Sequence, residues 1–401
     1  MASGSSPSTI FALMANENLF GAFPPATREQ WEAVIKKELK DKDPSALDIA
    51  VEDTMVKPFG MASDAIGMGK HRRGIRRNGN TWRAGIELGP WQEHANAKLL
   101  EALMGGADSV VVTGDSMEGL EAMLADVLLG AIDLHIPVGS RATLEWLLAE
   151  AKKQGVPDAE LSLYVTCKSD ELAAVNERLR GYPRVRLVEV DDQQHGHSVT
   201  ALALERGRTC LTEMIAAGLS VDDACARLQF RLVLGDDLFL EAARLRAFRE
   251  AWAAVVAEFK PEHDCSRNTW VQATVAFPYP EPDGHSSYHN VIRATLQAIS
   301  GILGGCDGLT IRTPKLPEGD ALARRVARNI HNLLRDESFL DRVADPLGGS
   351  YTVEQLTSAL ASSLEPQDRS ADRDGSKLAA QSSKLEADIP NREEIPLKSY
   401  Y

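Results

Sequence analysis

The sequence predicts an α/β fold, a (β/α)8 TIM barrel with an N-terminal helical arm and a disordered C-terminal tail. Three observations carry this. Segments of helical and strand periodicity alternate with connections of a few residues, the signature of a parallel sheet built from α/β units. Eight strand candidates lie between Ser109 and Glu354, and this span of 246 residues is close to the ~250 of a closed barrel. One unit also recurs: helix, double glycine, acidic residue, strand. It is seen at Gly105-Gly106 with Asp108-Ser-Val-Val-Val-Thr113, and again at Gly304-Gly305 with Asp307-Gly-Leu-Thr-Ile-Arg312. A doubly wound open sheet is the competing topology. Gly301, Gly304, Gly305 and Gly308 speak against its dinucleotide-binding form, because they follow a helix and precede a strand.

Residues 1–60 read as an arm. Ile10, Phe11, Leu13, Met14, Leu19, Phe20 and Phe23 are apolar, and Pro24-Pro25 ends the segment. Thr27-Arg-Glu-Gln30 is a capping box ahead of a helix starting near residue 28. Such an arm packs on its own barrel or wraps a partner subunit. Residues 66–88 are rich in glycine and arginine, which suits either an anion-binding loop or a solvated one. The barrel domain is assigned to 61–360, its pattern beginning at Trp91. The strand candidates are Ser109–Thr113, Ala131–Pro137, Leu161–Thr166, Arg184–Val190, Leu228–Leu234, Thr269–Val275, Gly308–Arg312 and Arg342–Ala344. Helical patterns lie between most of them: Ala97–Met104, Arg141–Gln154, Asp170–Leu179, Val199–Ala217, Leu238–Phe259, Asn290–Leu303 and Ala321–Leu334. Residues 361–401 hold few large apolar side chains and read as a polar linker or tail. The last residues, from Glu394, echo Asp53–Phe59, either as the start of a second module or by chance.

Composition narrows the function classes. Of 401 residues, 44% are hydrophobic and 25% charged, an ordinary globular balance. The net charge of −14 gives no drive toward nucleic acid or an anionic membrane. The five cysteines are widely spaced without a Cys-x-x-Cys pair, which fits a reducing cytoplasm rather than a zinc or disulfide framework. No apolar run reaches transmembrane length, and the Ser-rich start lacks the pattern of a signal peptide.

The end of the barrel pattern reads Arg325-Val-Ala-Arg-Asn329, then Glu337-Ser338, then Arg342-Val-Ala-Asp-Pro-Leu-Gly-Gly-Ser-Tyr-Thr-Val-Glu354. This resembles the end of the barrel domain of methylmalonyl-CoA mutases. The likeness extends over about residues 15–360: Arg73-Gly74 and Trp82 resemble the family's entry segment, Ala242–Trp252 its long helix, and Tyr288-x-Asn290-x-x-Arg293 the segment after the sixth strand counted above. The resemblance implies an adenosylcobalamin-dependent rearrangement of an acyl-CoA threaded along the barrel axis, with the cofactor carrying the hard step. It implies substrate-binding positions at Arg73, Thr274, Tyr288 and Arg293.

Three departures from the family pattern bear on activity. Its tyrosine two residues after Arg-Gly is Arg76 here. Its histidine at the end of the fourth counted strand falls at Val190, with His195 and His197 a few residues later. The loop after the next-to-last strand is cut to Thr313-Pro-Lys-Leu-Pro317. The Asp-x-His-x-x-Gly motif of the cobalamin-binding domain has only two near misses, Asp133-Leu-His135-Ile-Pro-Val138 and Asp283-Gly-His285-Ser-Ser-Tyr288, both within the barrel. No metal site is expected: His285 and His289 are four apart, but in what reads as a loop end. Asp191-Asp192 and Asp236-Asp237 sit at strand ends, where carboxylates serve acid/base work or simply cap helices.

The expectation is a small-subunit-like mutase barrel, itself without confident catalytic residues. It would pair with a cobalamin-binding large subunit in a cytoplasmic heterodimer, or with a fused second barrel. The alternative is an active acyl-CoA mutase barrel served by a separate cobalamin-binding chain. An unrelated barrel lyase or aldolase is the third reading.

Overall fold

A computed structural model describes residues 26–40, 42–51, 54–61, 64, 79–114, 118–192, 197–276, 287–314 and 316–364. At its centre is a ring of parallel strands: β1 Arg83–Leu88, β2 Ser109–Val112, β3 Asp133–Ile136, β4 Ser162–Val165, β5 in two pieces (Val185–Arg186 and Val188–Asp191), β6 Leu228–Val233, β7 Trp270–Val275 and β8 Gly308–Ile311. Each pairs with the next, and β8 pairs with β1. The divided strand closes the ring. Its first piece pairs with β4 and its second with β6, while Leu187 between them donates to the Arg227 carbonyl at 2.8 Å.

Two expected strands change. The ring begins with Arg83–Leu88, and 342–344 is a bend. Arg83-Ala-Gly-Ile-Glu-Leu88 shows no apolar run because Gly85 and Glu87 face inward. Gly85 is fixed by space, since a Cβ there would stand 2.6 Å from Thr310 Oγ1. Around Val343 the alternation looked strand-like, but Asp345 takes φ 48° and turns the chain into a glycine-rich corner. Strand numbers after the first therefore rise by one, so the strand ending at Asp191 is the fifth.

The capping box forms as read, with Thr27 and Gln30 bonding reciprocally at the start of α1, Arg28–Glu38. An antiparallel hairpin follows, Ile49–Val51 with Thr54–Val56. The helices around the ring are α2 Ala95–Met104, α3 Arg141–Lys153, α4 Leu172–Arg178, α5 His197–Ala216, α6 Val221–Arg227, α7 Leu238–Glu258, α8 Ser287–Leu303 and α9 Asp320–Asn332, with α10 Tyr351–Leu364 beyond. Outward side chains such as Val110, Leu134, Leu163, Phe230 and Val271 meet these helices in one apolar core. Helix α10 was not anticipated. It buries Ala361 and Leu364, so ordered helix runs past the 360 boundary. Most of the proposed tail, and the arm before Ala26, lie outside the described residues.

Helix α7 is buried on nearly every side, because α10 covers the face turned away from the ring. Its arginines survive there by pairing. Arg246, fully buried, meets Asp345 at 3.0 Å and Glu354 at 2.8 Å, and donates to Thr357. Glu354 also accepts from the Gly349 N–H. The run Asp345–Tyr351 is thus a clasp that fastens α10 to α7. Arg249 holds the Gly305 carbonyl and Asp307 at the foot of β8.

Candidate functional site

In a barrel of this kind the axis and its C-terminal mouth are where chemistry is placed. Strand register fixes which side chains reach that axis. Asp133 and His135 on β3 stand beside Ser162 and Tyr164 on β4; Glu189 and Asp191 on β5 stand beside Gln229 and Arg231 on β6; Trp270, Gln272 and Thr274 follow on β7. Their sequence neighbours are apolar and belong to the outer core. On β5 both Leu187 and Val188 turn outward. The alternation therefore slips by one residue, as at a β-bulge.

The inward side chains interlock. Asp133 accepts from His135 Nε2, from Ser162 Oγ and from Arg186 Nη2, the last at 2.7 Å. Arg186 lies 4.1 Å over the Trp270 ring, a cation–π contact. His135 Nδ1 accepts from Gln229 Nε2 at 3.2 Å, and the same amide reaches Glu189. Glu189 pairs with Arg231 at 2.7 Å, and Arg231 with Asp191 at 3.2 Å. Trp270 Nε1 donates to Gln272, which donates to Thr310 at 2.8 Å. At the mouth Arg312 meets Glu87 at 3.1 Å. Asp133, His135, Gln229 and Gln272 are at most 1% exposed.

Charge is balanced locally. Burial would raise the Asp133 pKa, but His135 and Arg186 beside it outweigh that and hold the carboxyl well below its usual range. Burial, with Glu189 nearby, pushes the Tyr164 phenol up. Asp192 turns away from the axis into a second buried cluster. There Arg244 bonds Glu241, Thr200 and the Val233 carbonyl, leaving Asp192 Oδ2 3.6 Å from Arg244. Burial outweighs Arg244 and raises Asp192 to about 7. Desolvation lifts the Cys167 thiol to about 11 and the Cys225 thiol to about 12, away from the reactive thiolate.

The residues singled out from sequence scatter. Thr274 faces the axis, buried, with no hydrogen-bond partner for its Oγ1 among the described residues. Tyr288 and Arg293 stand on α8 at the rim, bonded to Glu318 and to Asp236 respectively. Val190 packs in the helix-facing core, so a side chain there cannot reach the axis. The inward neighbours are Glu189 and Asp191. Arg73, Arg76, His195 and His285 lie outside the described residues, as does the side chain of His197. His289 sits in α8, a helix rather than the expected loop end. At the foot of the barrel Asp222, Glu262 and His263 approach one another. Asp222 there accepts from the backbone N–H groups of Glu262 and His263, closing a turn.

Sequence reasoning missed the axis cluster. Its signal was alternation of polar and apolar residues, as in Asp133-Leu-His-Ile136, Gln229-Phe-Arg-Leu232 and Trp270-Val-Gln-Ala-Thr274. Parallel strands buried on both faces ordinarily read as continuous apolar runs.

Three relatives and one family model place the chain among known proteins. A family model described as methylmalonyl-CoA mutase matches residues 195–388. The methylmalonyl-CoA mutase small subunit of Streptomyces virginiae is 32% identical over 92% of this chain and 67% of that protein. The small subunit from Propionibacterium freudenreichii subsp. shermanii is 27% identical, over 86% of this chain and 61% of its own length. The methylmalonyl-CoA mutase of Cereibacter sphaeroides is 28% identical, over 83% and 56%. The chain spans about two thirds or less of the length of these relatives.

Proposed function

Because the chain belongs to the methylmalonyl-CoA mutase family, we propose that it is a small-subunit-like barrel of an acyl-CoA isomerase. In this reading a cobalamin-binding large subunit interconverts methylmalonyl-CoA and succinyl-CoA, and this chain pairs with it and adds little chemistry. The supporting observation is the filled axis. An acyl-CoA threaded along it must first part Glu189 from Arg231 and Asp133 from Arg186. Opening a buried pair costs roughly 3–5 kcal/mol. Bound in a partner, adenosylcobalamin supplies the radical chemistry. The mouth of this barrel, where Glu87, Asp191, Arg231 and Arg312 stand in ion pairs, does not fit a corrin ring. The free cysteines suit a cytoplasmic location. Among the described residues, no helix is long and apolar enough to cross a membrane.

The alternative, an active barrel served by a separate cobalamin-binding chain, draws on the small inward residues Gly85, Ser109, Thr274, Gly308 and Thr310. Among the described residues the buried Ser109 and Thr274 hydroxyls have no hydrogen-bond partner. The test is turnover of methylmalonyl-CoA with adenosylcobalamin, by the purified chain alone and mixed with the large-subunit homologue of the same genome. Activity only in the mixture is expected. Turnover by the chain alone would overturn the reading.

A further inference from the structure

The ends of β5 and β6 and the first turns of α5 and α7 meet at one buried joint beside the barrel mouth. Asp192, directly after β5, accepts from the Val233 N–H of β6 at 2.9 Å through Oδ1. Its Oδ2 has no hydrogen-bond partner among the described residues, and its side chain is 0% exposed. The cation beside it is Arg244 on α7, whose donors are spent elsewhere. Nε and Nη2 serve Glu241, Nη2 also holds the Val233 carbonyl at 2.7 Å, and Nη1 holds Thr200 of α5 at 2.8 Å. What is left for Asp192 is an approach of 3.6 Å, too long for a hydrogen bond.

Two carboxylates thus share one buried guanidinium. Glu241 holds the better position, because it also accepts from the Gly235 N–H at 2.9 Å. A carboxylate that accepts several N–H bonds keeps its charge, and one without them in a dry site takes a proton. The proton of this joint therefore belongs to Asp192. Among the described residues, the other charged groups around it do not relieve it. Asp191, next to it on β5, is a further carboxylate, and it is paired with Arg231 of β6, which faces the axis. Arg206 of α5 reaches the Asp191 carbonyl at 3.3 Å. Burial accordingly holds Asp192 up at about 7, so a small change around neutral pH moves its proton. Once ionised, the joint carries a net negative charge away from water. Thr200, which anchors the first turn of α5, hangs on the same guanidinium.

We propose that this joint is a pH-responsive latch: with a proton on Asp192 the β5–α5 corner of the mouth is held shut, and release of that proton to solvent lets the corner open. The corner borders the Asp191–Arg231 pair at the mouth of the axis, so opening it gives water a path to that pair. The latch does not depend on the partner-subunit reading.

Hydrogen exchange of the full chain tests it, read peptide by peptide at pH 6 and pH 8 with labelling times scaled to the intrinsic amide rates. An open corner in which Asp192 titrates normally is favoured ~10-fold more at the higher pH. Peptides over the N-terminal halves of α5 and α7 should gain that factor in exchange rate, while β2 and β3 should not change. Asp192→Asn, with no proton to lose, should remove the dependence. Glu241→Gln should remove it too, because Arg244 then serves Asp192 alone and keeps it charged in the closed joint. Should either variant fail to fold, the other carries the same reading. Equal scaled rates at both pH values in wild type would overturn the latch. So would a dependence that survives both substitutions, or one shared by β2 and β3, which would make the loosening global.

Discussion

Replacing Arg231 by leucine tests whether the axis is dry. Arg231 sits between Glu189 at 2.7 Å and Asp191 at 3.2 Å. The Glu189 side chain is 4% exposed, so removing its partner strands a carboxylate away from water. Breaking a buried pair this way costs roughly 3–5 kcal/mol. The half-open contact with Asp191 adds at most about 1 kcal/mol, because solvent screens it. Arg231 itself keeps 17% of its side chain exposed, which trims the total toward the lower figure. A loss of about 3–4 kcal/mol is expected, read from urea unfolding followed by tryptophan fluorescence. The double variant Glu189→Gln, Arg231→Leu should recover most of it, since neither charge is then left alone. If Arg231→Leu stays within about 1 kcal/mol of wild type, water or an open channel is solvating Glu189. The filled-axis argument against acyl-CoA would then fail.

Two further outcomes follow from the buried clusters. Asp192 is raised in the folded state to about 7 from 3.8, so its protonated form is favoured by folding. That contribution is complete below the unfolded value and is lost as pH rises through about 7. Wild type should therefore melt lower at pH 8 than at pH 5, and Asp192→Asn should flatten this difference; parallel pH profiles would count against it. Arg246→Met should leave the Asp345 and Glu354 carboxylates without their buried cation, lowering stability by roughly 3–5 kcal/mol. Hydrogen exchange should quicken along Tyr351–Leu364 before the ring strands respond.

Much of the ring was legible because seven of its strands carry apolar runs or turn signals that survive in one dimension, such as Ser109–Thr113 and Gly308–Arg312. Arg83–Leu88 was not, because its glycine and glutamate are dictated by neighbours on other strands: Gly85 by Thr310, Glu87 by Arg312. The position expected at Val190 failed for a sharper reason. An extra outward residue at Leu187–Val188 exchanges the faces of everything after it, and a slip of one residue leaves no mark in composition. The axis cluster joins residues far apart in sequence, 53 between Asp133 and Arg186 and 94 between His135 and Gln229, and only the closed ring brings these together. Thr274, Tyr288 and Arg293 were placed by resemblance alone, which carries positions but not the orientation of side chains.

The Asp345–Tyr351 run, part of the stretch that carries the resemblance to the family, has its partner in Arg246 on α7, 99 residues earlier. Its glycines and acids hold a helix in place, far from the mouth where Glu87 and Asp191 stand. What that run does here is hold α10 to α7, a fastening the fold needs whether or not its own mouth carries chemistry.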